Sequence, residues 1–321
     1  MASEIPVIDL GGTMEAVARQ IAAACRGTGF FYIENHGVAP ETVAGAFAAN
    51  RRFHALPTEQ KLAIKMNKWH RGYQPLAAST LKSSARFAPA RHPNQLECFF
   101  LRHEVMPEHP DYGRDKPLQG PNQWPDDDAF RAEVTRYDAA IRALGLRLLP
   151  AVAAAVGEAV DFFAGYFAPP STCLRLIHYP PAAPLPPEDL YGIQPHTDYG
   201  FLTILAQDDV GGLQVRRVDG SWIDAPYRPG SFVVNIGDAM ARWSNDVFNS
   251  TPHRVVSPAG GRDRYAIAYF FDPNLDAEIR CLPAFCRDAP ARHAPIRYGD
   301  YYTMRLDANY PDRKGVEAAT R

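Results

Sequence analysis

The sequence predicts a mixed α+β protein in which helices dominate the first half of the chain and short strands the second. The clearest helical series alternates steps of four and three: Phe130, Val134, Tyr137, Ile141, Leu144 and Leu148. From Cys173 onward the apolar runs are short, and Gly, Pro and Asp separate them. Proline makes up 29 of 321 residues, against a typical share of about 5%. Short strands with frequent turn signals are typical of a sandwich or a barrel.

The first half of the chain begins with a predicted helix over residues 13–26, with Thr13 as its N-cap and Gly27 or Gly29 at its end. Residues 30–33 predict a short buried strand. Further helices are expected over residues 40–55, over residues 58–66 and from Asp127 onward, where Pro150 kinks or restarts the last one. Irregular segments are expected over residues 69–94 and 107–128.

The second half of the chain contains period-two patterns and short apolar runs. Strands are predicted in four places: Leu202–Leu205, Leu213–Val215, Phe232–Ile236 and Tyr265–Phe271. The chain contains no internal repeat, no low-complexity segment and no clear linker. The sequence therefore predicts one compact unit, in which the N-terminal helices pack against the strands.

Composition excludes several classes of function. The formal net charge is −2, and no basic block indicates nucleic-acid binding. The N-terminus lacks the pattern of a signal peptide, and the longest apolar tract, residues 144–157, is too short to span a bilayer. The five cysteines are scattered, which favours reduced thiols over a Cys281–Cys286 bridge. We expect a cytoplasmic monomer that binds a small molecule and neither nucleic acid nor a membrane.

Two histidines and an aspartate have the residue types and spacing of a metal site. His196 and Asp198 lie two residues apart, and His253 follows 55 residues after Asp198. Alternate residues of an extended chain share a face and lie roughly 6.6 Å apart, so the first two can converge on one ion. Two imidazoles and one carboxylate are the facial triad that holds Fe(II) for O2 chemistry. Arg264 adds a fork suited to a carboxylate. The alternative is that these polar residues have these spacings by chance.

Several ordered motifs extend this pattern over nearly the whole chain: Gly29-Phe-Phe-Tyr-Ile-Glu-Asn-His-Gly37, Leu174-Arg-Leu-Ile-His-Tyr-Pro-Pro181, His196-Thr-Asp198, Gly230-Ser-Phe-Val-Val-Asn-Ile-Gly-Asp238, Ser250-Thr-Pro-His-Arg254 and Arg264-Tyr-Ala-Ile-Ala-Tyr-Phe270. With them the chain resembles the isopenicillin N synthase-like family of Fe(II)/2-oxoglutarate-dependent dioxygenases. The resemblance implies a double-stranded β-helix, or jelly-roll, core flanked by N-terminal and supporting helices. It divides the chain into residues 1–120 (N-terminal region), 121–170 (supporting helices), 171–275 (jelly-roll core) and 276–321 (C-terminal extension).

The resemblance also implies an activity and a set of site residues. His196, Asp198 and His253 would bind Fe(II), while Arg264 and Tyr179 would bind the C5 carboxylate of 2-oxoglutarate. With O2, such an enzyme oxidises a C–H bond by hydroxylation, desaturation or cyclisation and decarboxylates 2-oxoglutarate to succinate. Residues expected near the substrate pocket are Tyr73, Arg86, Arg91, Glu97, Phe99 and Phe271. The two arginines could equally be solvated surface charges, and residues 301–310 are expected to form a helix over the site.

Two positions depart from the family pattern. Ala266 stands where most relatives carry a serine, and Ile177 where many carry an asparagine that also contacts the co-substrate. Because one neutral hydrogen bond contributes roughly 0.5–1.5 kcal/mol, these changes predict weaker 2-oxoglutarate binding rather than its loss. Ile177 resembles isopenicillin N synthase itself, so an iron oxidase that uses O2 without 2-oxoglutarate is the alternative. A non-catalytic jelly-roll binding module is a third possibility, which the intact triad disfavours.

Overall fold

A computed structural model describes residues 5–79, 91–107, 117–182, 187, 189–257, 261–287 and 289–309. Its helices are α1 (Met14–Arg26), α2 (Pro40–His54), α3 (Thr58–Leu62), α4 (Asp128–Ala155), α5 (Asp238–Trp243), α6 (Pro283–Cys286) and α7 (Tyr298–Asn309), with a 3-10 turn at Gly165–Phe167. Its strands are β1 (Val7–Asp9), β2 (Phe30–Glu34), β3 (Gly72–Gln74), β4 (Glu97–Arg102), β5 (Ser171–Tyr179), β6 (Ile193–His196), β7 (Leu202–Gln207), β8 (Leu213–Arg216), β9 (Trp222–Asp224), β10 (Phe232–Ile236), β11 (His253–Val255), β12 (Arg264–Asp272), β13 (Glu278–Ile279) and β14 (Ile296–Arg297).

The strands form the two sheets of a jelly roll. The large sheet has eight strands in the order β1-β2-β10-β7-β12-β5-β4-β3, and the small sheet has four in the order β6-β11-β8-β9. Strands β13 and β14 form a separate pair. Because β1 to β4 come from the first 102 residues, the N-terminal region and the core share one sheet. The four boundaries given above stay a prediction, but this shared sheet explains why the sequence contains no clear linker.

The long helix confirms one part of the helix prediction and corrects another. Helix α4 begins near Asp127 as predicted, and Asp127 is its cap, since its Oδ1 accepts a hydrogen bond from the Phe130 amide at 2.9 Å. The helix does not restart at Pro150 but continues to Ala155. Leu149 and Val152, on either side of the proline, are buried in the core. Their burial outweighs the hydrogen bond that proline removes.

The other predicted elements are close to those observed. Helix α1 begins directly after the predicted cap Thr13, whose Oγ1 accepts from the Ala16 amide. Helix α3 is shorter than expected, because the amide of Met66 instead donates to the carbonyl of Tyr73. This contact brings the chain to β3, which lies within a segment expected to be irregular. The five cysteines are free thiols, as expected. No helix among the described residues has the length and apolar character to cross a membrane.

The large sheet has two buried faces with different partners. The site face points toward the small sheet and carries Tyr179 and Ala266, which pack with Val215 and Val255 of the small sheet. The helix face points the other way and carries side chains such as Tyr269, which belong to one cluster with residues of α1, α2 and α4. Since successive side chains of a strand alternate between faces, each residue of β5 and β12 is assigned to one of them.

Candidate metal and co-substrate site

Three side chains converge between the sheets. Strand β11 pairs with β6 so that His253 lies directly opposite His196, and Asp198 follows two residues after His196. The Asp198 Oδ1 atom lies 3.8 Å from His196 Nε2 and 3.7 Å from His253 Nε2. All three ligand atoms lie within 4.8 Å of one another. The pairing of two strands thus brings together residues that are distant in the sequence.

Hydrogen bonds fix the orientation of both imidazoles. His196 Nδ1 lies 2.8 Å from the carbonyl of Gln194, and His253 Nδ1 lies 3.2 Å from the carbonyl of Thr251. A carbonyl oxygen only accepts, so Nδ1 carries a proton in each ring, and the neutral form of each ring keeps its lone pair on Nε2. Burial lowers the pKa of His196 to about 3, with a further contribution from His253, so this imidazole is neutral. A neutral imidazole that donates through its other nitrogen is the usual form of a metal-bound histidine.

Asp198 is held as a carboxylate with one oxygen available. Its Oδ2 accepts hydrogen bonds from Thr203 Oγ1 at 2.6 Å and from Asn235 Nδ2 at 2.7 Å. Burial works to raise the pKa of this carboxyl, but the two histidines and these hydrogen bonds outweigh it and lower the pKa. Oδ1 therefore faces the imidazoles as an anionic ligand. Two imidazole nitrogens and one carboxylate oxygen fit a divalent iron ion.

Arg264 lies buried on the site face, in the cross-strand position opposite Tyr179. Its guanidinium carbon is 4.6 Å from the centre of the Tyr179 ring. Nε donates to the carbonyl of Gly211, and Nη2 lies 3.5 Å from Gln207 Oε1. Among the described residues, no acceptor binds the buried Nη1. A buried cation with an unsatisfied donor is the feature that a carboxylate site requires.

The two departures from the family pattern are neighbours in space. Ala266 pairs with Ile177 across β12 and β5, and Cys98 of β4 pairs with Ile177 on its other side. All three side chains belong to the cluster between the sheets. An apolar patch thus adjoins Arg264 and Tyr179, and it includes positions 177 and 266, where the family resemblance implies polar groups. Because Ala266 is on the site face, its substitution can act directly on the co-substrate.

A cavity adjoins two of the three converging side chains, His196 and Asp198. Its described lining includes four aromatic side chains, one leucine and one arginine: Phe100, Tyr199, Phe270, Tyr302, Leu306 and Arg175. Tyr302 and Leu306 belong to α7, so a C-terminal helix covers the site, as expected for residues 301–310. The cavity has the mixed aromatic and polar lining of a small-molecule site.

The structure places four of the residues predicted for the substrate pocket on the other face of the large sheet. Three of these residues pack in the helix-side cluster and so lie on the helix face: Tyr73, Phe99 and Phe271. Glu97 lies on the same face, because it stands two residues before Phe99 on β4. Their neighbours Phe100 and Phe270 line the cavity instead. Arg91 is exposed and pairs with Asp189 at 3.4 Å. Arg86 lies outside the described residues.

The sequence reasoning missed the residues that support Asp198 and those that line the cavity. Asn235 was visible as the one polar residue in the apolar run Phe232-Val-Val-Asn-Ile236. A lone polar residue in a buried strand needs a partner, which here is Asp198. Phe100 and Phe270 gave no comparable signal, because they stand among other apolar residues, and Thr203 gave a weaker one, because threonine is common in strands.

Two family models match this chain. The non-haem dioxygenase N-terminal model, described for morphine synthesis, matches residues 5–127. The 2OG-Fe(II) oxygenase superfamily model matches residues 170–273. The second match contains the three converging side chains, Arg264 and Tyr179.

Individual relatives agree with these matches. The 2-oxoglutarate-Fe(II) type oxidoreductase hxnY of Emericella nidulans is 34% identical over 90% of this chain and 84% of its own length. Homoarginine-6-hydroxylase 2-ODD-233 of Oryza sativa is 34% identical over 92% and 89%. The crystal structure of a full-length Neurospora crassa protein in complex with alpha-KG (2-oxoglutarate) has a TM-score of 0.82 at 31% identity, over 95% of this chain and 96% of that one. The similarity therefore covers both the fold and the site.

Proposed function

The chain belongs to the 2OG-Fe(II) oxygenase superfamily, and we propose that His196, Asp198 and His253 hold its iron while Arg264 and Tyr179 hold its co-substrate. The protein is an Fe(II)- and 2-oxoglutarate-dependent oxidoreductase that uses O2. The assignment of residues is supported above all by one observation: two imidazole nitrogens and one carboxylate oxygen converge within 4.8 Å.

The three ligands leave part of the coordination sphere open. Bound iron with 2-oxoglutarate supplies the activation of O2 and the oxidation of a C–H bond, coupled to decarboxylation of 2-oxoglutarate to succinate. The protein orients both imidazoles through the Gln194 and Thr251 carbonyls. Thr203 and Asn235 hold Asp198 so that Oδ1 remains available. These hydrogen bonds keep the ligand set arranged before any ion binds.

The co-substrate site depends on Arg264 more than in most relatives. Its free Nη1 donor and the nearby Tyr179 would bind the C5 carboxylate. Ile177 and Ala266 supply no hydrogen bonds, and each lost bond costs roughly 0.5–1.5 kcal/mol. We propose that 2-oxoglutarate binds in this position with lower affinity than in relatives with Asn and Ser there. Two relatives whose names include 2-oxoglutarate favour an enzyme that uses this co-substrate over an oxidase that uses O2 without it.

The cavity suits a small organic molecule. Phe100, Phe270, Tyr199 and Tyr302 provide apolar walls beside the proposed iron ligands. Named relatives differ in what they act on, since one is a homoarginine hydroxylase and another was crystallised with thymine. The identity of the substrate therefore does not transfer from them to this chain. We further propose that the enzyme acts as a cytoplasmic monomer, without nucleic acid or membrane partners, and light scattering of the purified protein tests the monomer.

Succinate formation tests the proposed function. We expect protein supplied with Fe(II), 2-oxoglutarate and O2 to form succinate slowly without added substrate, and faster with a matching small molecule. Asp198→Ala and His253→Ala should abolish this activity while retaining the folded state. Wild-type protein that forms no succinate, with or without a panel of small molecules, would contradict the assignment of Arg264 and Tyr179 as a co-substrate site.

A further inference from the structure

A cluster of charged side chains lies on the helix face behind the co-substrate site. We name it the His178 cluster; it consists of His178, Glu97, Asp263, Lys61 and Tyr73. His178 Nδ1 lies 2.8 Å from Glu97 Oε1, and His178 Nε2 lies 2.7 Å from Asp263 Oδ1. Lys61 Nζ donates to Glu97 Oε2 at 2.8 Å, and the Tyr73 hydroxyl donates to the same oxygen. Neither the metal site nor the cavity uses these groups.

The cluster is one residue away from the proposed 2-oxoglutarate contacts. Glu97 of β4 and Tyr265 of β12 lie on either side of His178 in the sheet register. The Tyr265 ring also stacks on His178, with centres 4.8 Å apart. Tyr179 follows His178 in the chain, and Arg264 precedes Tyr265. Since side chains alternate, the backbone that carries the cluster on one face carries Tyr179 and Arg264 on the other.

The geometry determines the protonation state of His178. An ionised carboxylate only accepts hydrogen bonds, so both ring nitrogens must donate, and the ring is an imidazolium. The positive charges of His178 and Lys61 then balance Glu97 and Asp263. Burial works to lower the pKa of His178, but the hydrogen bonds and charges of Glu97 and Asp263 outweigh it and raise the pKa.

Other groups that face His178 do not replace this balance. His54 of α2 lies 5.5 Å away between ring centres, and burial lowers its pKa to about 3, so it is neutral. Arg51, also of α2, lies over the Tyr265 ring at 5.4 Å. Burial raises the pKa values of the Tyr73 and Tyr265 hydroxyls, so both are neutral. Asp208 accepts from the Tyr265 amide at 2.6 Å, on the backbone of β12 rather than on the ring of His178.

We propose that protonated His178 is a positioning residue, which holds β5 and β12 in the arrangement that Tyr179 and Arg264 need to bind 2-oxoglutarate. This inference rests on the proposed function of those two residues. When His178 loses its proton, a nitrogen lone pair faces a carboxylate oxygen at hydrogen-bond distance, and the two repel each other. The strands then lose a tie directly behind the binding residues. Co-substrate affinity should therefore be highest at low pH and weaken as the pH rises through the raised pKa of His178.

Calorimetric titration of 2-oxoglutarate into Mn(II)-loaded protein, from about pH 6 to pH 9, tests the inference around the ordinary histidine pKa. We expect the wild-type affinity to fall several-fold above a pH break. Asp263→Asn should move that break to lower pH, because it removes one of the charges that raise the pKa of His178. The Asp263 side chain is half exposed, so this variant should fold. Asp209→Asn is the matched control, since Asp209 is exposed and pairs with Arg262 at 2.7 Å instead.

His178→Gln and Arg264→Lys complete the test. His178→Gln should bind 2-oxoglutarate weakly at every pH, with no break. We also expect the free energy of unfolding of the metal-free wild type to depend on pH, and that of metal-free His178→Gln to depend on it less. A wild-type affinity that does not change with pH, or a break that Asp263→Asn leaves in place, would overturn the role of His178. If Arg264→Lys binds 2-oxoglutarate as wild type does, the proposed function fails instead, so the two failures are distinguishable.

Discussion

The metal site and the His178 cluster lie on opposite sides of the large sheet, and each is built around buried histidines. At the metal site His196 and His253 each donate Nδ1–H to a backbone carbonyl and keep Nε2 free. In the cluster both nitrogens of His178 face carboxylates. The pKa shifts differ accordingly: burial lowers the pKa of His196 to about 3, whereas Glu97 and Asp263 raise that of His178.

The comparison teaches that burial alone does not decide the chemistry of a histidine, because the acceptor that faces each ring nitrogen also contributes. A neutral carbonyl fixes the tautomer without stabilising a positive charge, so the ring remains a metal ligand. A carboxylate on each nitrogen stabilises the imidazolium, which cannot bind a metal but can connect strands. The predictions below address this contrast between the two sides of the sheet.

The largest expected effect is on metal binding. His196→Ala, Asp198→Ala and His253→Ala should each remove most Fe(II) or Mn(II) affinity, because a two-ligand site loses both affinity and geometry. His178→Gln, on the other side of the sheet, should leave metal affinity unchanged. Calorimetric Mn(II) titration measures both. Unchanged affinity in one of the three alanine variants would remove that residue from the ligand set.

The two adjacent phenylalanines of β12 should behave differently. Phe271 is fully buried on the helix face and stacks on Phe167 with ring centres 4.9 Å apart. Phe271→Ala should therefore lower the free energy of unfolding by about 3–5 kcal/mol. Phe270→Ala should cost less stability and instead raise the KM for the organic substrate. Urea unfolding and steady-state kinetics on both variants check this, and equal stability losses would mean that the assignment of faces is wrong.

Loss of a hydrogen bond that holds Asp198, a proposed metal ligand, should weaken metal binding less than loss of Asp198 itself. Thr203→Val removes the hydroxyl that donates to Asp198 Oδ2 at 2.6 Å. Loss of such a supporting contact typically weakens metal binding by roughly 10–100-fold. Thr203→Ser keeps the hydroxyl and is the matched control. Mn(II) titration should separate the two variants, and equal affinities would show that this hydrogen bond does not hold the ligand.

The smallest expected effect concerns the apolar patch. Ala266→Ser restores a hydroxyl beside Arg264, and a hydrogen bond to a charged acceptor contributes roughly 1.5–3 kcal/mol at best. Desolvation and ordering of the side chain reduce this gain, so we expect a several-fold lower Kd for 2-oxoglutarate with metal binding unchanged. Calorimetric titration gives both values. An unchanged Kd would indicate that the co-substrate carboxylate does not reach residue 266.

Strand β12 shows how far the sequence predicts this site. The run Tyr265–Phe271 predicts a strand correctly, while the role of Arg264 in holding the co-substrate stays a prediction. Which face Phe271 occupies could not be predicted, because both faces of this strand are buried and apolar residues therefore occupy both. In a strand with one exposed face, apolar and polar residues alternate, and this alternation shows which side chains face the core.

Contacts between distant parts of the chain account for most of the remaining differences. His253 lies opposite His196 only because β11 pairs with β6, a register that local patterns do not encode. Glu97 and His178 are 81 residues apart, so their ion pair was not visible, and Glu97 was expected at the pocket instead. By contrast, the cap of α1 and the start of α4 depend on residues within one turn, and both predictions are confirmed.

Anaerobic titration of Fe(II)-loaded protein with 2-oxoglutarate tests the central claim most directly, namely that the site face holds iron and co-substrate together. Chelation of the metal by the 2-keto acid produces a charge-transfer band in the visible. We predict this band in wild type, its loss in Asp198→Ala, and a much higher midpoint concentration in Arg264→Lys, because a point charge cannot replace the guanidinium fork. A wild-type protein that binds Fe(II) without developing the band, or an unchanged midpoint in Arg264→Lys, would contradict the account.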